Sequence, residues 1–439
     1  MAYPESATHP TAVAPRHAER VKHLPSLTPL RGIAALWVVV FHFCWRFPNV
    51  QPHDYGVVRE GYLAVDIFFM LSGFIISHVY KDSFAKECTA ARYFDFLKAR
   101  IARIYPLHLV MLMVFLVAAA LERVAVCLAG GNIEPVRLTG ERSIAGLFAN
   151  LAMLQGLWAR GLSWNNPAWS ISLEFIAYLL FPLIFPWLWR APMRSKAIAG
   201  LFAFAALAGL AWHTGDDLNQ WNGLPAILRC LPEFLVGVVI YSIYDQALFA
   251  RLLASDLALG LMLAAVCALV HNAASDFGIV LLFPGLILAA VRNEGRLRRL
   301  LNAAPLRWLG DISYSLYLVH WFVLFALVET VGRLPALSLR QLPPTASLLA
   351  ALSLIVVSVV LAAVTYRVVE VRGRHWLRRR LVVRRPTPAA ELAVPGRGAH
   401  VAPAMARRRR SGAALKSQSG NRKGIMVFYA PNSQCFTHK

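Results

Sequence analysis

The amino-acid sequence predicts an all-α, polytopic membrane protein of about ten transmembrane helices with both termini in the cytoplasm. Three observations support this prediction. Apolar residues make up 58% of the 439 positions and only 15% are charged, whereas a soluble domain has about 25% charged residues. The apolar residues occur in runs long enough to cross a hydrocarbon core of roughly 30 Å. Lys and Arg concentrate in alternate connections, as cytoplasmic loops require.

Ten apolar runs account for the predicted helices in chain order. They cover residues 30–47, 62–80, 101–121, 169–189, 197–213, 225–244, 257–271, 277–291, 309–331 and 347–369. With the N-terminus inside, the basic clusters fall in inside connections such as residues 81–103 and 292–307. The outside connections include the acidic pair Asp216 and Asp217. A shorter apolar run over residues 144–158 predicts a helix that lies on or dips into the outer face, with an eleventh or re-entrant span as the alternative.

The chain is predicted to consist of three segments. Residues 1–26 form a polar cytoplasmic segment, residues 27–371 the transmembrane domain, and residues 372–439 a basic tail that is predicted to be disordered. The tail holds 16 of the 45 Lys and Arg residues and one acid, Glu391, so it supplies most of the net charge of +22. Such a tail suits anionic membrane lipids, and we expect no specific nucleic-acid partner. The six cysteines show no C-x-x-C spacing, so we expect no metal site.

Ionisable side chains inside apolar spans are costly and therefore indicate functional sites. Arg31 and His42 are eleven residues apart in the first span, which puts them on one helix face and about 16 Å apart along the axis. Asp66 lies in the second span, Glu174 in the fourth and His320 in the ninth, each in the middle-to-outer half. A structural role is the alternative for each residue alone, but packing explains their convergence poorly.

A second cluster is basic and lies where the third span begins on the cytoplasmic side. Arg100 and Arg103 are three residues apart and are therefore neighbours on one helix face. Paired guanidinium groups at a membrane rim suit the recognition of phosphate. The alternative is that both residues only fix the orientation of the helix in the membrane.

Five motifs in order resemble the acyltransferase 3 family of integral-membrane O-acyltransferases. They are Arg31-x10-His42, the stretch from Val65 to Phe74, Arg100-x2-Arg103-Ile-x-Pro106, Trp169-Ser-x-Ser-x-Glu174 and Ser313-Tyr-Ser-x-Tyr-x-x-His320. The similarity runs from about residue 27 to residue 370. The sequence departs from the family pattern at Ile171 and His108, and the closing Tyr366-Arg-x-x-Glu370 lacks the Pro that often follows. No departure removes a residue expected to act in catalysis.

The resemblance implies transfer of an acyl group, acetyl in the first instance, to a hydroxyl of a cell-envelope carbohydrate or glycolipid in the bacterial inner membrane. The donor would be cytoplasmic acyl-coenzyme A, such as acetyl-CoA, acting as a co-substrate, and no permanently bound cofactor is expected. Arg31, Arg100 and Arg103 are expected to hold the coenzyme phosphates at the inner rim of the membrane.

The resemblance also implies roles for residues deeper in the membrane. His42 is expected to take the proton of the acceptor hydroxyl, and Asp66 or Glu174 is expected to orient His42 as the carboxylate does in a Ser-His-Asp triad. A covalent acyl-histidine relay through His42 is equally compatible with the sequence. The residues expected to bind the acceptor or support the site are Ser72, Trp169, Ser170, Tyr317 and His320.

A transporter or flippase of an envelope sugar or lipid is the alternative function. Intramembrane His, Asp and Glu residues also build proton relays. The sequence shows no duplicated half and no matched pair of broken helices, which many transporters have. Turnover of acetyl-CoA by the purified protein would separate the two functions.

Overall fold

The fold is all-helical throughout the part of the chain that the structure describes. This computed structural model describes residues 24–50, 55–128, 142–158, 163–272, 274–331 and 342–381. No strand occurs in these ranges, so the prediction of an all-α protein is confirmed. Most of the predicted N-terminal segment and the tail beyond Leu381 lie outside the described residues.

Helices of very different length follow one another along the described chain. They are α1 Leu27–Cys44, α2 Gly56–Arg59, α3 Ala64–Phe84, α4 Ala90–Leu128, α5 Ile144–Leu151, α6 Ala168–Arg190, α7 Met193–Thr214, α8 Gly223–Asp245, α9 Ala250–Leu253, α10 Asp256–His271, α11 Asp276–Val280, α12 Phe283–Arg292, α13 Arg296–Leu301, α14 Ala304–Asp311, α15 Ser313–Val331, α16 Pro344–Thr365 and α17 Arg372–Leu381. A π-helical turn, Tyr366–Val371, joins α16 to α17.

Seven of the described helices are long and apolar enough to cross a membrane. They are α1, α3, α4, α6, α7, α8 and α16. Helices α14 and α15 meet at an angle of 67° and together make an eighth candidate. The ten spans predicted from the sequence are therefore not all found. Helix α10 has 16 residues and is about 24 Å long, which is short of a full crossing.

The predicted span over residues 277–291 is divided into α11 and α12. The break follows from Pro284, which lies in the first turn of α12. A proline has no N–H to donate to the carbonyl four residues earlier, here that of Val280, and its ring clashes with that carbonyl. The apolar run was long enough for a span, but the proline starts a new helix instead.

Close backbone contact joins α3 to α8 at the centre of the described helices. Gly73 and Gly237 face each other's helices: a Cβ atom at Gly73 would lie 2.1 Å from the carbonyl oxygen of Phe234, and one at Gly237 would lie 2.1 Å from that of Met70. Only glycine permits this approach, as small residues commonly do between membrane helices. The contact holds Asp66 of α3 beside Arg229 of α8.

Helix α1 is held in the same way against α14. A Cβ atom at Gly32 would lie 2.5 Å from the backbone nitrogen of Gly310, and one at Gly310 would lie 2.0 Å from the carbonyl oxygen of Thr28. The chain then bends by 67° into α15. Helices α1 and α15 consequently run side by side, which brings their two histidines together.

The segment over residues 144–158 forms a short helix and a turn. Helix α5 has eight residues and is about 12 Å long, too short to cross a membrane. In the following turn Gln155 donates a hydrogen bond of 2.8 Å to the carbonyl of Ala168, and the backbone N–H of Gly156 donates one of 2.9 Å to Ser172 Oγ. The segment therefore packs beside the start of α6.

The first ten residues of the predicted disordered tail are helical. Helix α17 extends over Arg372–Leu381 and packs against α4. A Cβ atom at Gly373 would lie 2.7 Å from the side chain of Pro106, so a glycine at this position lets the two helices approach closely. Residues beyond Leu381 lie outside the described part of the chain, and the prediction of disorder for them is untested.

Candidate active site

His42 lies near the end of α1 and contacts His320 of α15. The Nδ1 atom of His42 is 3.2 Å from Nε2 of His320 and 3.0 Å from the carbonyl oxygen of Val38. Rings of Phe41 and Trp321 stand edge-on to the His42 imidazole, with centroids 5.0 and 5.1 Å away. The structure thus brings together two histidines that belong to the first and ninth predicted spans.

The hydrogen bonds of this pair determine which nitrogen of each neutral ring carries the hydrogen. Nδ1 of His320 is 3.1 Å from the carbonyl oxygen of Leu316, and a carbonyl oxygen only accepts, so this Nδ1 is a donor. Nε2 of His320 is then an acceptor and faces Nδ1 of His42, which is a donor by the same argument from Val38. The single hydrogen on Nδ1 of His42 is therefore shared between the carbonyl oxygen of Val38 and Nε2 of His320. Nε2 of His42 consequently keeps its lone pair, as a general base requires.

Asp66 is bound by Arg229 of α8 rather than by a histidine. The Nε atom of Arg229 donates a hydrogen bond of 3.0 Å to one carboxylate oxygen of Asp66, and Nη2 donates to the other. Both side chains are fully buried. Nη2 also donates to the carbonyl of Tyr62 at 3.0 Å. The guanidinium carbon lies over the ring of Trp169, 5.8 Å from its centroid. A buried ion pair needs such additional partners.

Glu174 belongs to a separate network that joins α3 and α6. One of its carboxylate oxygens accepts hydrogen bonds from Ser72 and from Tyr178, whose hydroxyl groups are 3.0 Å apart. Among the described residues, no hydrogen bond joins His42 to Glu174 or to Asp66. The structure therefore gives no contact in support of the hypothesis that one of these carboxylates orients His42. Nδ1 of His42 instead contacts His320 and the carbonyl of Val38.

The remaining predicted supporting residues form a buried group between α6 and α15. Ser170 Oγ and the hydroxyl of Tyr317 are 2.8 Å apart. The ring of Tyr317 lies 6.0 Å from that of His320 and 5.9 Å from that of Phe68, measured between centroids. This group thus connects the histidine pair to the first turn of α6.

The three predicted donor-binding arginines lie nearer the beginning of α1. Arg103 Nη1 donates to Glu370, and the guanidinium lies over the ring of Tyr314. Arg100 Nη2 donates a hydrogen bond of 2.9 Å to the hydroxyl of Tyr80, while its buried Nε has no partner among the described residues.

Arg31 forms no hydrogen bond or ion pair with the described residues, but the charges of Arg103, Glu174 and Glu370 act on its guanidinium. Asp311, Arg307 and Arg374 lie in the same region, so five arginines stand against the three carboxylates of Glu174, Asp311 and Glu370. The unused N–H groups and the excess positive charge suit a bound anion.

Sequence reasoning missed Arg229, Glu233 and Glu370. Arg229 and Glu233 are four residues apart in the sixth predicted span, and both are fully buried. The rule that intramembrane charges mark important sites applied to them as much as to Asp66. Glu370 was noticed only as part of a closing motif. No group of three or more His, Cys, Asp or Glu residues suited to a metal occurs within the described ranges.

Comparisons with known proteins agree on one family. The sequence model of the acyltransferase 3 family, described as an acyltransferase domain, matches residues 24–367. Acyltransferase MdmB of Streptomyces mycarofaciens is 31% identical over 403 residues, which cover 85% of this chain and 98% of that protein. The O-acetyltransferase OatA of Staphylococcus aureus is 22% identical over 332 residues, which cover 68% of this chain and 50% of OatA. No solved structure matches. The chain therefore belongs to the acyltransferase 3 family and is a multi-pass membrane O-acyltransferase.

Proposed function

We propose that this enzyme transfers an acyl group, acetyl in the first instance, from acyl-coenzyme A to a hydroxyl of a cell-envelope carbohydrate or glycolipid. In this proposal it lies in the bacterial inner membrane with both termini in the cytoplasm, so that α1 begins at the cytoplasmic side. The observation that carries the proposal is the His42–His320 pair, which leaves a basic nitrogen on the same helix as Arg31. The name of the relative OatA, O-acetyltransferase, supports acetyl as the transferred group.

The donor binds at the arginine cluster in this proposal. Arg31 and Arg100 form no ion pair with the described residues, and Arg103 uses only Nη1 in its ion pair with Glu370, so the phosphates of coenzyme A can supply the missing negative charge. The pantetheine arm then extends along α1 toward His42. The axial separation of Arg31 and His42, about 16 Å, is a distance that an extended pantetheine chain can span. The thioester carbonyl would meet the imidazole in the middle of the membrane.

The chemical step uses the lone pair on Nε2 of His42. This nitrogen takes the proton of the acceptor hydroxyl while the hydroxyl oxygen attacks the thioester carbonyl. When the tetrahedral intermediate collapses, the carbon–sulfur bond breaks and the proton passes from His42 to the leaving thiolate. His320 keeps Nδ1 of His42 as the donor and stabilises the imidazolium, which is the role of the carboxylate in a Ser-His-Asp triad.

The acceptor approaches from the opposite end of the bundle. Trp169, Ser170 and Tyr317 are the proposed acceptor-side residues, because they connect the start of α6 to the ring of His320. Asp66 and Glu174 support the site through their helices in this proposal: Asp66 fixes α3 to α8 through Arg229, and Glu174 fixes α3 to α6 through Ser72. A covalent route through acylated His42 uses the same nitrogen, and trapping of an acyl-enzyme would distinguish it from direct transfer.

Replacing His42 tests the proposed function. Purified protein in lipid nanodiscs should release coenzyme A from acetyl-CoA when an envelope glycan extract is supplied. His42→Ala should lower kcat at least about 100-fold, because general-base catalysis contributes about 10²- to 10⁴-fold. His213→Ala is the matched control, since this histidine is exposed at the end of α7. Wild-type protein that never turns over acetyl-CoA, or full activity in His42→Ala, would contradict the proposal.

A further inference from the structure

Glu370 is a buried carboxylate at a local break in helix geometry. It lies in the π-helical turn Tyr366–Val371 and is 1% exposed. One carboxylate oxygen accepts a hydrogen bond from Nη1 of Arg103, and the other accepts one of 2.7 Å from Ser315 Oγ. Glu370 therefore joins the end of α16 to α4 and α15.

The π-helical turn explains how the chain presents this side chain inward. Such a turn accommodates one extra residue, which rotates the side chains that follow by about 100° relative to a continuous α-helix. Single π-helical turns are frequent at functional sites. Here α16 is largely exposed to its surroundings, whereas Glu370, directly after it, is enclosed. A glutamate that only ended a peripheral helix would not need this rotation.

Arg103 is held from two directions. Glu370 binds Nη1, and the ring of Tyr314 lies 5.6 Å from the guanidinium carbon. Tyr314 is itself fixed, since its hydroxyl donates a hydrogen bond of 2.6 Å to the carbonyl of Ile104. Nε and Nη2 of Arg103 have no acceptor among the described residues, and the side chain is 22% exposed. A guanidinium can serve two acceptors at different edges, so one edge is anchored and another is open.

We infer that Glu370 is a positioning residue of the donor site, holding Arg103 by one nitrogen so that its open edge faces a phosphate of coenzyme A. The inference rests on the proposed function, because it assigns Arg103 to the donor. An arginine that is already immobilised loses less side-chain freedom when the phosphate binds. Ser315 anchors the second carboxylate oxygen and thereby fixes the orientation of Glu370.

If Glu370 acted only through its charge, its removal would have the opposite effect on donor binding from the one expected if it positions Arg103. A carboxylate beside a phosphate site repels the phosphate, so removing Glu370 would strengthen donor binding if only its charge mattered. If Glu370 positions Arg103, removing it weakens donor binding, although the site becomes more positive. Glutamine separates the two cases, because its amide oxygen can accept from Arg103 and its amide nitrogen can donate to Ser315 Oγ.

The experiment compares Glu370→Ala, Glu370→Gln and Ser315→Ala in the full chain in nanodiscs. We measure KM and kcat for acetyl-CoA and the Kd of coenzyme A by calorimetry. Glu370→Ala should raise KM and Kd about tenfold, as expected when one side chain loses its pre-organisation, while kcat changes less than about threefold. Glu370→Gln should stay within about threefold of wild type, and Ser315→Ala should raise both constants about threefold.

Glu87→Ala is the matched control, because this exposed acid precedes α4 and its one ion pair within the described ranges is with Arg92, at 3.8 Å. It removes one negative charge and should leave both constants unchanged. An unchanged or lower KM in Glu370→Ala would overturn the inference. If that variant cannot be purified folded, unchanged constants in Ser315→Ala would overturn it.

Different results contradict the proposed function and this inference. The proposed function fails when wild-type protein neither binds coenzyme A nor turns over acetyl-CoA. KM for acetyl-CoA could rise in Arg103→Ala and stay unchanged in Glu370→Ala. This result would support Arg103 as part of the donor site and would contradict only the positioning role of Glu370.

Discussion

At the scale of single residues, the His42–His320 pair is a chain of directed hydrogen bonds. The carbonyl of Leu316 fixes the hydrogen on Nδ1 of His320, and His320 in turn accepts from Nδ1 of His42. The chain ends on Nε2 of His42, whose lone pair is the proposed general base. A histidine can therefore take the place of the carboxylate in a catalytic triad, at the cost of weaker stabilisation of the imidazolium because it carries no charge.

This arrangement predicts a specific kinetic effect for His320. His320→Ala should lower kcat by about 10²-fold with little change in KM for acetyl-CoA, since the imidazolium of His42 loses the acceptor nitrogen that stabilises it and the donor site is untouched. His320→Gln should recover part of the activity, because its amide oxygen can accept from Nδ1. Steady-state kinetics on all three proteins is the measurement. Equal kcat values in wild type and His320→Ala would rule out this role.

The sequence predicted that these two histidines converge, because each stands alone among apolar residues in its span. It did not predict their direct contact, since the spacing within one helix says nothing about the rotation of another. Asp66 shows the same limit. Its place in α3 was predicted, but its partner Arg229 lies 163 residues away in the chain, and only the packing of α3 against α8 brings them together.

At the scale of helices, glycines determine which faces meet. Gly73 and Gly237 permit backbone contact between α3 and α8, while Gly209 in α7 has no atom within 4 Å of an added Cβ. The sequence predicted both spans from their apolar runs. Which glycines carry a close contact could not be predicted, because all three lie in helices of similar composition. The same holds for α11 and α12, where one proline divides a run that has the composition of a span.

Replacing Gly237 or Gly209 by alanine should have opposite effects on stability. Gly237→Ala places a methyl group against the carbonyl of Met70, so the free energy of unfolding should fall by about 1–3 kcal/mol, the usual cost of overpacking. Gly209→Ala meets open space within a helix and should be neutral or stabilising by up to about 1 kcal/mol. Denaturant unfolding in detergent micelles measures both. Equal stabilities for the two variants would mean that α3 and α8 do not approach this closely.

At the scale of the whole molecule, the site depends on residues from nearly the entire described chain. Arg31 and His42 come from α1, the first helix, while Glu370 comes from the π-helical turn that precedes α17, the last described helix. Because these residues are far apart in the chain, the proposed donor and catalytic groups come together only when the intervening helices are packed. The similarity to MdmB likewise extends over 85% of the chain.

The same dependence makes two C-terminal truncations differ sharply. Ending the chain at Arg385 keeps Glu370 and α17 and removes only residues beyond the family match at 367. We expect kcat and KM within about twofold of wild type, because no group assigned to the site is lost. Ending it at Thr365 removes the partner of Arg103 and the whole of α17, which packs on α4 beside Pro106, so one face of α4 loses its packing. We therefore expect little folded protein by size-exclusion chromatography. Loss of acetyl-CoA turnover in the longer form would instead assign a function to residues 386–439.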